Sequence, residues 1–275
     1  MPELPEVETI KRTLEAKLKG LFITAVEIFL PKLIRTPVPE EFQSLLAGQT
    51  IQRLERQGKY LLFHLSQNLT MIIHLRMTGR LVYSLPGTPL TPHTHAIFHL
   101  NNGYQLRFSD TRQFGNISLV PADNLDKVSG LNSLGKEPLS QEFTREYLKK
   151  QLRRHRAALK PLLLNQSFIA GLGNIYADEV LFRARIHPRR LSNTLTPREA
   201  TRLFHAIQDI LKEGIENRGA TFRDYVDGNG TAGNYQNLLK VYNREGKPCP
   251  KCSKTIVKLR IGGRGTYFCP YCQKM

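Results

Sequence analysis

The 275-residue chain has no tryptophan and only four cysteines, all of them within its last 27 residues. Sulfur-based metal or redox chemistry is thereby confined to the C-terminal end. No apolar run approaches the roughly 20 residues that a membrane-spanning helix needs. No charged-then-apolar leader precedes the first helical pattern, so the chain is expected to stay in the cytosol. No internal repeat is present. Acids are the scarcest class relative to their opposites: 23 Asp and Glu face 40 Lys and Arg, a net charge of +17 with a pI of about 9.9. Such an excess favours a polyanionic partner, of which nucleic acid is the commonest. An anionic membrane would compete, but the chain lacks a strongly basic amphipathic helix with an aromatic apolar face. Hydrophobic content is 40%. That suffices for two domains, each with its own core.

After one opening helix the first half reads as strands. "LFITAVEIFL", "TIQRLER", "KYLLFHL", "TMIIHLR", "HAIFHL" and "YQLRFSD" are short runs rich in β-branched and aromatic residues, separated by turn-forming stretches such as "SLPGTPLTPHT" and "NNG". Their spacing predicts an antiparallel sandwich or barrel. From "LNSLGKEPLSQEF" onward the period changes. "TREYLKKQLRRHRAALKPLLL", "NIYADEVLFRA" and "TPREATRLFHAIQDILKEGIENRG" are predicted helices. The expected divisions are 1–132, a sheet-rich domain; 133–239, a helical domain; and 240–275, a cysteine-bearing hairpin. Within the second, "RGATFRDYVDGNGTAGNYQN" reads as a mobile loop.

The opening stretch "MPELPEVETIKRTLEAKL" carries more than a helix start. Pro2 and Pro5 suit a first helical turn, where a missing N–H costs nothing. Glu3, Glu6 and Glu8 oppose the positive end of the helix dipole. Val7, Ile10, Leu14 and Leu18 recur at helical spacing and predict one buried face. That structural account covers the stripe, but not a signal beginning at position 2. Removal of Met1 would make Pro2 a free secondary amine. An α-amino group titrates at about 7.7–8.0 and is therefore partly neutral, and nucleophilic, at cellular pH.

The cysteines form "CPKC" at Cys249 and Cys252 and "CPYC" at Cys269 and Cys272, with sixteen residues between the pairs. The spacing fits a four-thiolate zinc site, with two disulfides or a redox pair as alternatives. A cytosolic chain with no other cysteine favours zinc. Four thiolates leave no open coordination position, so the ion is expected to be structural. Between the knuckles, "TIVKLRIGGRGTYF" predicts a hairpin turning at Gly262-Gly263, with Arg264 at its tip. Arg264 is either a solvated turn residue or a phosphate clamp, and the basic composition gives the clamp at least equal weight.

"PELPEVET", "GKYLLF", "HLRMTGR", "DTRQFG", "AGLGNIYADEVLF" and "GGRGTYFCPYCQ" occur in this order. Together they resemble the bacterial formamidopyrimidine-DNA glycosylases, which act on 8-oxoguanine, and the resemblance runs from Pro2 to Lys274. It implies an α+β protein of two domains: an antiparallel β-sandwich with a leading helix, then a helix–two-turns–helix domain ending in a zinc β-hairpin. It also implies a monomeric, cytoplasmic base-excision repair enzyme acting on damaged duplex DNA, with one structural Zn(2+) and no small-molecule cofactor. In that family the proline amine, here Pro2, attacks the sugar carbon bearing the damaged base, and Glu3 moves protons. Lys59 assists elimination and holds a phosphate, and Arg264 grips phosphates and serves the second elimination. Met77, Arg112 and Phe114 match the trio that enters the base stack, with Arg112 pairing to the orphaned cytosine. His74, His93, His155, Lys160 and Asn174 match DNA-contacting positions, and Asn174 would cap the helix that follows it. Taken alone, Lys59 reads as a strand-edge lysine, Met77 and Phe114 as core residues, and each histidine as a hydrogen-bonded structural residue. The stretch Thr221–Asn237 aligns with the loop covering the extruded base.

The sequence departs from the family pattern at Gln113, where a second basic residue is common, and at Ala220, where glycine is frequent. Asn165 replaces an aspartate. Two rival functions share much of the pattern. Endonuclease VIII-like glycosylases for oxidised pyrimidines share the proline, glutamate and zinc hairpin, but usually carry glycine where Leu4 stands. A non-catalytic damaged-DNA-binding zinc protein would fit the charge and the zinc, though not Pro2-Glu3 with Lys59 and Arg264.

Overall fold

The computed structural model describes residues 1–275. It divides into two compact units, one of Met1–Asn132 with Ile215–Gln236, the other of Ser133–Gly214 with Asn237–Met275.

The first unit opens with α1 (Leu4–Leu18), whose N-cap is Glu3. The Glu3 N–H donates to Glu6 Oε2 at 2.8 Å, and the two residues form a capping box. This satisfies donors that a helix start otherwise leaves without partners. Val7, Ile10, Leu14 and Leu18 are all fully buried, as their spacing predicts. They enter a core enclosed by two sheets. One sheet has the order β1-β7-β8-β6, from Ile23–Ile28, Thr94–Leu100, Gln105–Asp110 and Gly79–Ser84. The other has the order β2-β9-β5-β4-β3, from Ile34–Thr36, Asn116–Pro121, Leu69–His74, Tyr60–Leu65 and Ile51–Gln57. Phe63, Phe98 and Phe108 fill the interior at 0% exposure. Each such side chain contributes roughly 1.5–3 kcal/mol by leaving water. The helix α2 (Pro39–Leu46) adds Phe42, edge-on to Phe98 with 6.5 Å between ring centroids.

The sandwich is antiparallel except at one edge, where β2 runs parallel to β9 through Ile34↔Ile117. Three residues of β2 are too few to show a period, and this pairing was not expected from the sequence.

In the second unit, the stretch read as one helix over 144–164 is two: α3 (Arg145–Arg154) and α4 (Leu159–Leu164). His155 turns extended, with φ −112° and ψ 135°. The intervening backbone then finds partners outside the helix. Ser192 N–H donates to Ala157 O at 2.9 Å, Leu159 N–H to Arg190 O at 3.0 Å, and Lys160 N–H to Pro188 O at 3.0 Å. Next come α5 (Asn174–Ala184), α6 (Pro197–Glu216) and a hairpin of β10 (Val257–Ile261) with β11 (Arg264–Phe268). α5 is buried on nearly every side, and its Glu179 carboxylate accepts the N–H groups of Lys240, Val241 and Tyr242 at 2.9–3.1 Å. Those bonds seat the strap that leads into the hairpin. No helix is long and apolar enough to cross a membrane.

Candidate functional site

In the first unit, Pro2 and Glu3 are buried in the turn that starts α1, whereas Met1 is 52% exposed. The capping box holds the Glu3 backbone at a fixed angle to the helix. From α1, Glu8 receives Arg56 Nε at 3.0 Å, and Arg56 Nη1 donates to Gly58 O at 3.1 Å. The turn before Lys59 is therefore tied to the first turns of α1. Gly58 has φ +57°, and Lys59 is 6% exposed. Next to it, Tyr60 pairs in register with His74 and lies edge-on to its ring at 4.5 Å.

Burial, with Arg76 and Lys59 nearby, pushes His74 down to about 3. Its Nδ1 accepts the Arg76 N–H at 3.0 Å. The neutral ring thus carries its proton on Nε2, a fixed donor rather than an acid.

Three side chains read alone as core or surface come together on loops of the same unit. Met77 is 38% exposed and Phe114 is 52% exposed, so neither is a core residue. Arg112 Nη1 lies 3.0 Å from Met77 Sδ, and its guanidinium sits 4.9 Å from the Phe114 ring centroid. A buried acid beneath them was not singled out from the sequence. Asp110, 1% exposed, accepts the Thr78 hydroxyl and the Arg112 N–H (3.1 Å) on Oδ1, and the Gly115 N–H (2.7 Å) on Oδ2. One carboxylate thus clamps both loops that carry the trio. Gly115 is required beside it, because a Cβ there would lie 2.6 Å from the Phe108 ring. His93, exposed, accepts the Asp110 N–H on its carbonyl at 3.0 Å, so it borders the same clamp. The signal was present in "DTRQFG", an acid at the mouth of a turn, but its three donors are visible only in the fold.

The stretch expected to be a mobile loop is anchored. Glu6 Oε1 accepts the Ala220 N–H at 2.7 Å while its other oxygen holds Glu3. Gly228 N–H donates to Thr13 Oγ1 at 3.0 Å, and Gly228 O accepts the Tyr83 N–H at 2.9 Å. Arg218 pairs with the buried Asp227. Ala220 is accommodated without a glycine at that position.

In the second unit, Lys160 does not face solvent. Its side chain is 0% exposed, pairs with Asp178 at 2.5 Å and donates to Asn174 O at 3.1 Å. Burial pushes Asp178 up to about 7, against the pull of Lys160. Its second oxygen accepts the Tyr267 N–H of β11 at 3.0 Å. The Lys160 ammonium, expected at a DNA-contacting position, is therefore turned inward, behind Asn174 and the hairpin.

Asn174 also departs from expectation. Gly173 is the N-cap of α5, and the Asn174 amide donates instead to Gly265 O at 3.1 Å, leaving Oδ1 buried without a partner. His155 is half-buried; its Nδ1 lies 2.8 Å from Gln151 O, and Ser192 Oγ donates to its carbonyl at 2.5 Å.

The hairpin turns at Gly262 and Gly263, with φ of +56° and +77°, which places Arg264 exposed at the first position of β11. A two-residue turn of this hand requires positive φ at both positions. The four Sγ atoms of Cys249, Cys252, Cys269 and Cys272 lie within 4.8 Å of one another. Tetrahedral Zn–S bonds of about 2.3 Å put sulfurs about 3.8 Å apart, so the cluster fits one zinc ion. No disulfide joins them.

Comparison with known proteins agrees with this geometry along the whole chain. The profile of the formamidopyrimidine-DNA glycosylase N-terminal domain matches residues 1–117, that of its H2TH domain 134–226, and a zinc finger found in FPG and IleRS matches 246–274. The formamidopyrimidine-DNA glycosylase of Pelotomaculum thermopropionicum is 62% identical over 275 residues, covering all of both chains. That of Enterococcus faecalis is 43% identical, covering 100% of this chain and 98% of its own. Among solved structures, a Lactococcus lactis FPG variant in complex with Fapy-dG-containing DNA superposes with a TM-score of 0.93 at 37% identity over 100% of each chain. The Lactococcus lactis enzyme with abasic-site DNA also gives 0.93 at 37% identity, over 99% of this chain and all of that one. With its α+β fold, its four-cysteine hairpin and these matches in hand, the chain belongs to the formamidopyrimidine-DNA glycosylase family.

Proposed function

We propose that the chain is a bifunctional base-excision repair enzyme that releases 8-oxoguanine and formamidopyrimidines from duplex DNA and then cuts the strand. The observation that carries this reading is the trio of Met77, Arg112 and Phe114 projecting from one buried clamp, in the same unit as the buried Pro2-Glu3 turn. A base inside a duplex must be extruded before its glycosidic bond can be reached, and the gap must be filled. Phe114 and Met77 are apolar wedges of the kind that kink DNA, and Arg112 offers donors to the orphaned cytosine.

Once Met1 is removed, the Pro2 secondary amine attacks C1′, the N-glycosidic bond breaks, and the base departs with its electron pair and a proton. Glu3 transfers protons as the sugar ring opens to an iminium on Pro2. The iminium acidifies the C2′ proton. Its loss expels the 3′ phosphate, and a second elimination expels the 5′ phosphate. Lys59 and Arg264 stabilise the negative charge that develops on those leaving groups. His74 holds a phosphate through its Nε2–H, with His93 beside it, and Asn174 and His155 grip the backbone. Lys160 acts through Asn174. Zinc, held by the four cysteines, supplies no chemistry and fixes the hairpin that carries Arg264.

Functionally, 1–132 carries the chemistry, and the loop over the extruded base, expected within 133–239, belongs with it because 215–236 folds into the same unit; 133–214 supplies the backbone grip and 240–275 the zinc hairpin. The enzyme works as a cytoplasmic monomer, associated with the nucleoid while it acts. Cleavage of duplexes bearing 8-oxoguanine opposite cytosine, compared with duplexes bearing oxidised pyrimidines, tests the substrate class. Faster turnover of the pyrimidine lesions would contradict it.

A further inference from the structure

Besides the cations of the DNA grip described above and those of α3, the second unit carries a separate basic group at the far end of α5. α5 and the zinc hairpin lie alongside each other. At one end, the Asn174 amide meets Gly265 next to the exposed Arg264. At the other, Gln273 Nε2 donates to Ile186 O at 3.0 Å and His187 N–H donates to Lys274 O at 3.2 Å. Eleven residues of helix separate the ends, about 16 Å at the usual rise.

At the far end opens a cleft of about 610 Å³. Arg185, Arg190, Arg202, Lys251 and Lys274 line it, and Glu199 is the one acidic side chain among them. Glu199 is already engaged by Arg190 at 3.5 Å and by Thr196 N–H at 2.8 Å. Arg202 spends only its Nε, on Ala184 O at 3.1 Å. Arg185, held in a left-handed conformation at the C-cap of α5, and Lys274 are exposed and form no ion pair. Two apolar side chains share the lining: Tyr271 at 61% exposure and Met275 at 69%.

We propose that this cleft docks a short acidic peptide segment of a partner protein, one bearing an apolar side chain among its carboxylates. Charge complementarity selects an anion, and guanidinium groups favour carboxylates through paired hydrogen bonds. The cleft lies a helix length from the Asn174–Arg264 end, and its volume holds a few residues rather than the side of a duplex. Exposed tyrosine and methionine add an apolar contact that a phosphate backbone would not use.

The test uses the full-length zinc protein and a fluorescein-labelled peptide, Glu-Asp-Glu-Leu-Asp-Glu, followed by anisotropy at low salt. The expected result is saturable binding that weakens about tenfold or more in Arg185→Glu/Lys274→Glu, because reversed charge repels the ligand. Zinc content and 8-oxoguanine excision should stay at wild-type levels in that variant, and a saturating lesion duplex should leave the peptide bound. Unchanged peptide affinity in the double variant would overturn the proposal. So would displacement of the peptide by duplex, or loss of excision in the variant, since either would assign the cleft to the DNA path. An equal loss from Lys149→Glu/Lys150→Glu, on α3, would also overturn it by showing attraction to net charge alone.

Discussion

Asp110→Asn isolates the clamp beneath Met77, Arg112 and Phe114, the trio proposed to enter the base stack. The substitution keeps size and shape, so the Thr78 hydroxyl and the Arg112 N–H can still reach an oxygen. At the Gly115 side the amide NH2 would face a buried N–H donor that now sits 2.7 Å from a carboxylate oxygen. Losing a hydrogen bond to a charged group and leaving a buried donor unsatisfied costs about 1.5–3 kcal/mol. The loop can escape that cost by detaching, and the Arg112–Phe114 turn must then be reordered whenever DNA binds. The lesion-duplex Kd should rise by the same free energy, roughly 10- to 150-fold. The assay is anisotropy with a duplex containing a non-cleavable abasic analogue opposite cytosine. A companion measurement follows strand scission of single-stranded abasic DNA, which has no orphaned base to pair and no stack to wedge. Scission there should change little. Duplex affinity within twofold of wild type in a normally folded variant would refute the reasoning. A parallel fall in single-strand scission would refute it too, because the clamp would then be acting on the chemistry.

Other consequences follow from the same geometry. Pro2→Gly replaces the ring amine while leaving the trio untouched, so cleavage should fall with lesion binding largely intact; full lyase activity would exclude the proline as nucleophile. Cys249→Ser should lower zinc content and DNA affinity together, since the hairpin carrying Arg264 folds on the metal; normal affinity without zinc would contradict that link. His74 has a folded value of about 3 against an ordinary 6.5. The unfolded chain therefore binds one proton more between those pH values, and His74 contributes stability that is present above pH 6.5 and lost as pH falls. Wild type should lose stability more steeply than His74→Gln in that window, by up to about 1.4 kcal/mol per pH unit. Identical slopes would mean that the ring is not held neutral.

The sequence made some of this legible because the signal was local. α1 showed its apolar stripe, the hairpin its paired glycines, and the cysteines their spacing. The trio became readable only through family resemblance, since Met77 and Phe114 are apolar residues whose exposure no periodicity reports. What stayed hidden depended on distant partners. Asp110 acts through donors on two loops, and Lys160 sits in a basic run that suggested solvent, yet Asp178 draws it into the interior. The break at His155 is stabilised by Ser192 and its neighbours, some 35 residues away in sequence. The glycine-rich stretch after α6 looked unanchored because its anchors, Glu6 and Thr13, lie more than two hundred positions upstream.

The most direct test of the account is borohydride reduction during turnover of an 8-oxoguanine:cytosine duplex, followed by peptide mapping of the trapped protein. The account predicts a deoxyribose remnant on the N-terminal peptide, attached to the Pro2 nitrogen, with Met1 gone. Attachment to a lysine instead, or a fully active enzyme that keeps Met1, would contradict it.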